Sequence, residues 1–230
     1  MTDTAGTRDI AEYRNTGPVL IVGLGRFGGS VARTLASMGV EVMAVDTDAR
    51  LVQAYSRDLS HVVQADATDD AALRQLGVSE IDTAIIAIGT GVESSVLVTA
   101  ALVDLGVRRV WAKAISDQHA NILRRVGAHR VFLPEHEMGE RVAHIVAGTM
   151  LEYLSLDAGF ALAEIVAPAS IVGRTLGELG LRATHGVTVV CVKHPGEGFT
   201  YAEATTRVLD NDLLMIAGAP ADIDRIVSLM

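Results

Sequence analysis

A glycine-rich turn restricts the fold of this chain more than any other feature of its sequence. The turn, Gly23-Leu24-Gly25-Arg26-Phe27-Gly28, closes the apolar run PVLIVG and opens a helical pattern. Glycines at this spacing allow a tight turn, close approach of the backbone to a phosphate, and close packing of a helix on a strand. Free N–H groups at the start of that helix attract an anion. The sequence therefore predicts a phosphate-binding strand–turn–helix unit.

The residues around this unit alternate short β-branched runs with helical patterns, which is typical of a parallel sheet built from βαβ units. Predicted strands cover 18–23, 41–46, 61–66, 83–89, 109–114 and 130–135. Predicted helices, several closed by glycine, cover 27–38, 49–57, 71–76, 93–105 and 118–126. After a flexible N-terminal segment over 1–16, we expect a doubly wound parallel Rossmann sheet, an α/β fold, over 17–135.

The second half of the chain has a different pattern. Apolar residues on one helical face predict a long amphipathic connecting helix over 136–156. The runs LAEIVA, VTVVCVK and DLLMIAG, separated by turns, then predict short strands. A second, smaller α+β domain is therefore expected over 157–230.

Composition excludes several functional classes. A net charge of -9 argues against binding to nucleic acid, which depends on Lys and Arg. The single cysteine, Cys191, and an N-terminus without a secretion signal favour a reducing compartment. Because no apolar run approaches 18 residues, the chain is expected to be cytoplasmic, reaching a membrane only through a partner.

An acid closes the second predicted strand, 18 residues after Gly28. A carboxylate at this position accepts hydrogen bonds from ribose hydroxyls and repels a 2′-phosphate, so Asp46 favours an NAD-like or ATP-like ligand over NADP. The adjacent Thr47 is included in the predicted site. Asp48 either assists or caps the following helix.

Other polar residues extend the predicted site, each with a structural alternative. Asp66, with Ala67 beside it, either accepts from an adenine amine or caps the next helix. Arg26 either clamps terminal phosphates or is a solvated charge. Lys113 either faces the nucleotide or is a solvated lysine at a strand end.

A dehydrogenase needs a proton donor or acceptor near its nicotinamide, and no such constellation is apparent. The histidines lack metal spacing and a paired acid at a strand end, so we expect them to pack at surfaces or interfaces. The chain is therefore not expected to be an enzyme. The histidines considered are His119, His129, His136, His144, His185 and His194.

Several motifs in order resemble the regulator-of-potassium-conductance (RCK or KTN) family, in particular the cytosolic subunits of bacterial Ktr and Trk potassium uptake systems. They are IVGLGRFGGSVARTLASMGVEVMAVD, ADATDD, VWAKA and GAHRVFLPEHEMG. The segment IVGRTLGELGLRATHGVTVVCVKHPGEGF and the later DNDLLMIAGAPADIDRI look like the family's C-terminal module. The resemblance covers about residues 17–230.

The resemblance implies a gating ring, usually an octamer of four dimers, that docks on a channel-like membrane subunit and responds to ATP and ADP. Arg26 matches a loop arginine that reaches terminal phosphates near the dimer interface. Glu135 matches an acid that holds a cation, magnesium or calcium, beside the ATP phosphates. An acid favoured by a helix N-terminus is the alternative for Glu135.

Two further possibilities follow. Ile171, Val172, Arg182 and His185 match the region where some relatives bind cyclic di-AMP, although Arg182 could also pair within the module. The Rossmann site could instead hold NAD or NADH, making the protein a redox sensor or an NAD-dependent oxidoreductase.

Overall fold

A computed structural model describes residues 17–147, 150–157 and 159–228. The chain divides into two compact units, the first ending at Pro134 and the second beginning at Glu135. Each unit has its own apolar core.

The first unit contains a six-stranded parallel sheet in the order β3-β2-β1-β4-β5-β6. Because the chain reverses direction across the sheet between β3 and β4, the carboxyl ends of the adjacent β1 and β4 flank the crevice where open α/β sheets bind ligands. The predicted doubly wound sheet is confirmed. Its strands are β1 Val19–Val22, β2 Val42–Asp46, β3 His61–Gln64, β4 Thr83–Ile86, β5 Arg109–Lys113 and β6 Arg130–Phe132.

Helices cover both faces of this sheet. One face packs against the third, fourth and fifth helices, and the other packs against the first and second. Burial on both faces explains why the central strands β1 and β4 have an uninterrupted buried pattern. The helices are α1 Arg26–Ser37, α2 Ala49–Tyr55, α3 Asp70–Gln75, α4 Val92–Asp104 and α5 Asp117–Val126.

The predicted connecting helix over 136–156 is too long. Helix α6 covers Pro134–Val146, and strand β7 covers Glu152–Asp157. Residues 151–157 read LEYLSLD, and from Leu154 onward apolar and polar residues alternate, a period of two that suits a strand. Antiparallel pairing with the next strand, with Leu154 opposite Leu162, satisfies the backbone of this segment.

The second unit is a five-stranded antiparallel sheet in the order β10-β9-β11-β8-β7, with helices packed on one face. The predicted small α+β domain is confirmed, although the prediction missed β7 and β10. The remaining strands are β8 Phe160–Val166, β9 Thr188–Lys193, β10 Thr200–Tyr201 and β11 Leu213–Gly218, and the helices are α7 Leu176–Leu179, α8 Leu181–His185 and α9 Pro220–Val227.

A buried carboxylate joins two loops of this second unit. Asp212 is fully buried and accepts from the Leu209 N–H at 2.7 Å. Its other oxygen lies 2.7 Å from Nδ1 of His194. His194 was expected at a surface or interface, and its side chain is instead only 27% exposed and hydrogen-bonded to Asp212.

Within the part of the chain that the structure describes, no helix combines the length and hydropathy needed to cross a bilayer.

Candidate functional site

The glycines of the turn after β1 have different physical roles. Gly23 adopts φ +95°, in the left-handed region that favours glycine. A Cβ on Gly28 would lie 1.9 Å from the Gly23 carbonyl oxygen and 2.7 Å from the Cβ of Ala87. A Cβ on Gly25 would meet nothing within 4 Å. Gly23 and Gly28 are therefore required by the fold, whereas Gly25 leaves space beside the turn.

That space lies at the N-terminus of α1. Gly25 is the N-cap residue and supplies no side-chain acceptor to the first turn of the helix. The first N–H groups of a helix have no acceptor within the helix, and its dipole places partial positive charge there. Arg26 and Phe27 begin the helix, and Arg26 is exposed. The arrangement suits a phosphate group.

Two backbone hydrogen bonds fix the Asp46 carboxylate at the end of β2. One oxygen accepts from the Leu24 N–H at 2.6 Å, and the other accepts from the Asp48 N–H at 2.8 Å. A carboxylate offers about four lone-pair positions, so each oxygen retains acceptor capacity. Asp46 is therefore held beside the glycine turn with acceptors available to the two hydroxyls of a ribose. The neighbouring Thr47 is exposed, and its carbonyl accepts from Gln64.

The other acids near the carboxyl ends of β2 and β3 differ in whether they cap a helix. Asp48 is the N-cap of α2, and the hydrogen bonds from the Arg50 side chain and backbone lower its pKa. Helix α3 is capped by Asp69, so the proposed capping role of Asp66 is wrong. Asp66 instead accepts hydrogen bonds from the backbone N–H and from the hydroxyl of Thr68. The backbone hydrogen bond, followed by the hydroxyl one, lowers the pKa of Asp66. Asp66 is thus an exposed, ionised acceptor at the end of the β3 segment, with buried Ala67 beside it.

The sequence left two alternatives for Lys113, a solvated lysine at a strand end or a lysine that faces the nucleotide. It is only 7% exposed, so the solvated alternative is wrong. Its ammonium lies 5.8 Å from the centre of the Phe27 ring, over the first turn of α1. A Cβ added to Gly89, in the segment after β4, would lie 3.8 Å from the Lys113 ammonium. Lys113 therefore places a buried positive charge at the crevice between the turns that follow β1 and β4.

A buried histidine near this edge was missed by the sequence analysis, which expected it at a surface or interface. His119, in the first turn of α5, is only 2% exposed, and its Nδ1 accepts from the Ile115 N–H at 3.4 Å. Among the described residues, its Nε2 has no hydrogen-bond partner. Burial lowers the pKa of His119 below the ordinary value of 6.5. His119 is therefore a neutral residue packed beneath the segment that follows Lys113.

This burial predicts a pH dependence of stability. Because the folded pKa of His119 is depressed, the unfolded chain binds the proton more tightly. Stability is retained above pH 6.5 and should fall as the pH drops through 6.5 toward the folded pKa. We expect His119→Asn, which retains an acceptor for Ile115, to reduce the loss of unfolding free energy between about pH 7.5 and about pH 5.5 in urea titrations.

His136→Asn is the matched control, because His136 is exposed and should leave most of the pH dependence in place. Equal pH dependence in wild type and His119→Asn would contradict the prediction.

The sequence predicted Glu135 at the end of a strand, but it lies in the first turn of α6. Its position therefore also matches the alternative of an acid beside a helix N-terminus. Among the described residues, no group of three or more histidine, cysteine or acidic side chains is placed to hold a metal ion. A cation at Glu135 would need ligands in addition to such side chains, such as phosphate oxygens.

The four residues matched to cyclic di-AMP binding lie in different environments. Arg182 lines a groove of about 310 Å³ with apolar walls between the α7–α8 segment and β9. Ile171 is buried in the core of the second unit, Val172 is partly buried, and His185 contacts the Thr184 hydroxyl at 2.7 Å. Only Arg182 of this set lines the groove among the described residues.

Comparison with known proteins extends these observations. The TrkA-N domain family matches residues 19–134, and the TrkA-C domain family matches residues 160–230. The Ktr system potassium uptake protein C of Bacillus subtilis is 40% identical over 206 residues, covering 89% of this chain and 93% of its own length. The Ktr system potassium uptake protein A of Vibrio alginolyticus is 33% identical over 199 residues, covering 86% and 90%.

Solved structures share the fold. The RCK domain of GsuK superposes with a TM-score of 0.64 at 21% identity, covering 94% of this chain and 48% of that chain. A structure of the GsuK channel bound to NAD has a TM-score of 0.51 at 21% identity and covers 94% of this chain and 39% of that chain. A structure of GsuK bound to ADP has a TM-score of 0.51 at 23% identity and covers 57% of this chain and 34% of that chain.

Both family matches and the extended identity to the Ktr proteins agree with the Rossmann unit and the small antiparallel unit. The chain belongs to the regulator-of-potassium-conductance family, with a TrkA-N domain followed by a TrkA-C domain.

Proposed function

We propose that this protein is a regulatory subunit of a potassium uptake system and that it responds to an adenine nucleotide bound at the β1–α1 turn. The observation that carries the proposal is the Asp46 carboxylate, hydrogen-bonded to the Leu24 N–H within the glycine turn. An acceptor suited to ribose hydroxyls beside a helix N-terminus suited to phosphate supports this assignment. The assignment to potassium uptake is inferred from the relatives named Ktr system potassium uptake proteins.

The charges around the crevice favour ATP and ADP over NAD(H). Lys113 places an ammonium near Phe27, and Arg26 begins the helix that faces the phosphates. Two cations near the terminal phosphates stabilise a ligand with additional negative charge. The neutral or singly charged nicotinamide half of a dinucleotide would gain less from them. Glu135 is proposed to hold magnesium or calcium together with phosphate oxygens.

Regulation requires two conformations with different affinities for the ligand. ATP and ADP can shift such an equilibrium only by the difference in their affinities for the two states. We propose that the protein forms a homo-oligomeric ring of dimers, acts in the cytoplasm, and transmits the shift to a membrane potassium-transporting subunit. No catalytic step is needed for this mechanism.

Calorimetric titration of nucleotide-free protein tests the ligand. We expect ATP and ADP to bind more tightly than NADH, and magnesium or calcium to tighten ATP binding. Asp46→Asn should weaken binding about 10-fold to 100-fold, because the amide replaces one acceptor oxygen with a donor and loses the charge. Asp48→Asn is the matched control, since Asp48 caps α2 and pairs with Arg50.

Two results would overturn this assignment. Tighter binding of NADH with no effect of divalent cations would favour a redox sensor or an NAD-dependent oxidoreductase. Equal affinity of wild type and Asp46→Asn for every nucleotide would remove the nucleotide site from this turn.

The groove in the second unit supports one additional candidate ligand, cyclic di-AMP. Its walls include Leu176, Leu181 and Val187, and Arg182 supplies a cation at its edge. An apolar wall with one guanidinium suits a base attached to a phosphate. Titration with cyclic di-AMP tests this, and unchanged affinity in Arg182→Gln would contradict it.

A further inference from the structure

A cluster of arginines lies at the edge of the Rossmann sheet opposite the ligand crevice. Strands β5 and β6 are parallel neighbours that begin at Arg109 and Arg130. Helix α5 connects them and carries Arg124 and Arg125 in its last turn. Because Arg108 directly precedes β5, all five residues lie at the amino ends of these two strands. We call these five arginines the basic edge.

The positive charges of the basic edge are largely unneutralised by the protein itself. Four of its members are exposed. Arg108 lies 3.5 Å from the carboxylate of Asp82, and both side chains of this pair face water. Within residues 17–147, no acidic side chain lies within ion-pair distance of Arg124, Arg125 or Arg130. These three arginines therefore present their charges to solvent without a counter-ion from the surrounding unit.

The dipole of α5 explains only part of the basic edge. The carboxyl end of a helix attracts cations, so Arg124 and Arg125 stabilise α5. Arg130 begins a strand and has no such role, and its guanidinium lies 4.9 Å from the centre of the Phe132 ring. Stacking on a ring leaves the N–H groups at the rim of a guanidinium available to an acceptor. This arrangement suits an external anionic group.

The composition of the basic edge favours a surface of repeating phosphate groups over a protein partner. The segments 104–109 and 124–130, which the structure describes in full, contain no exposed large apolar side chain. Protein interfaces usually have an apolar or aromatic centre within a polar rim. Neighbouring strands are about 5 Å apart, so the basic edge presents several guanidinium groups in a row. A row of fork-shaped donors matches closely spaced phosphates.

The net charge of -9 does not oppose such a contact. Charges are screened beyond a Debye length of about 8 Å at physiological salt, so the local excess of arginines decides what a planar surface attracts. In the proposed function the protein works beside a membrane, whose cytoplasmic leaflet carries anionic lipids. These lipids combine repeating phosphates with the planar shape that a sheet edge can approach.

We propose that the basic edge binds the anionic phosphate headgroups of a membrane, adding a direct lipid contact to the contact with the transporting subunit. Each arginine near an anionic surface strengthens binding by roughly fivefold. The inference rests on the proposed function only for the proximity of a membrane. Vesicle binding needs neither nucleotide nor the transporting subunit, so the two proposals can fail independently.

Co-sedimentation of the full-length protein with lipid vesicles tests the proposal. Vesicles that contain phosphatidylglycerol should retain the protein, whereas vesicles of phosphatidylcholine alone should not. The combined variant Arg124→Gln, Arg125→Gln and Arg130→Gln should weaken binding to the anionic vesicles about 100-fold, since each arginine contributes roughly fivefold. Raising the salt concentration to about 0.5 M should abolish binding, because salt screens the attraction between the arginines and the headgroups.

A second triple variant changes the net charge equally at three arginines that each pair with an aspartate elsewhere. Arg33→Gln, Arg50→Gln and Arg225→Gln together should leave vesicle binding within about threefold of wild type. Equal weakening in both variants would overturn the proposal, as would binding to neutral vesicles or no binding to anionic ones. Normal vesicle binding with lost assembly on the membrane subunit in the first variant would assign the basic edge to a protein contact and also overturn it. Normal nucleotide binding in those cases would leave the proposed function intact.

Discussion

Gly28→Ala is expected to abolish measurable nucleotide binding and to destabilise the first unit. The new methyl group would lie 1.9 Å from the Gly23 carbonyl oxygen, which is backbone and cannot rotate away. The start of α1 must therefore move away from β1, taking with it the N–H groups that we propose bind phosphate. We expect a loss of about 2–3 kcal/mol in unfolding free energy, as for other overpacked sites. We also expect a decrease of more than about 100-fold in ATP affinity.

Gly25→Ala is the matched variant for this prediction. Its Cβ would meet nothing within 4 Å, and its φ of -62° is accessible to alanine. Stability should remain within about 1 kcal/mol of wild type. The methyl group would occupy the space in which backbone approaches a phosphate, so ATP affinity should still fall. Equal loss of stability in both variants, measured by urea unfolding, would contradict the distinct roles assigned to the two glycines.

Asp212→Ala is expected to be the most destabilising single change in the second unit. It would remove the acceptor of the Leu209 N–H and the partner of His194. Leaving a buried polar group without its hydrogen-bond partner costs about 1–3 kcal/mol, and Asp212 contacts two such groups. Because His194 is partly exposed, we expect a total loss of about 3 kcal/mol in unfolding free energy, measured by urea unfolding followed by circular dichroism.

Two further variants distinguish the contribution of the Asp212 charge to stability from that of its hydrogen bonds. Asp212→Asn retains an acceptor for Leu209 and should cost about 1–2 kcal/mol. Asp210→Asn, at an exposed acid two residues earlier, should change stability by less than about 0.5 kcal/mol. A loss in Asp210→Asn as large as in Asp212→Ala would indicate a general effect of charge on this turn.

The Rossmann unit was predictable because its signals are local. The central strands are short apolar runs, the helices have a clear length, and the glycine turn lies between a strand and a helix. The position of Asp46 beside the glycine turn also followed from its distance along the sequence to Gly28. The hydrogen bonds from Leu24 and Asp48 that orient its carboxylate did not follow, because they depend on how two turns meet in space.

Residues whose role depends on tertiary packing were predicted less well. Strand β7 directly follows a helical pattern that runs to Met150, and its own short alternation becomes a strand because β8 offers it hydrogen-bond partners. Burial of Lys113 and His119 arises where the ends of several elements come together. No spacing in the sequence marks His194 as the partner of Asp212, 18 positions further along the chain.

The contact between the turns after β1 and β4 also restricts how this protein can change during evolution. A Cβ on Gly28 would lie 2.7 Å from the Cβ of Ala87 and 1.9 Å from the Gly23 carbonyl oxygen, so a smaller residue at position 87 would not by itself make room for a larger one at position 28. A larger residue at position 28 would therefore give a poorly folded protein. We expect position 28 to remain glycine across descendants of this protein, even where the ligand of the first unit diverges.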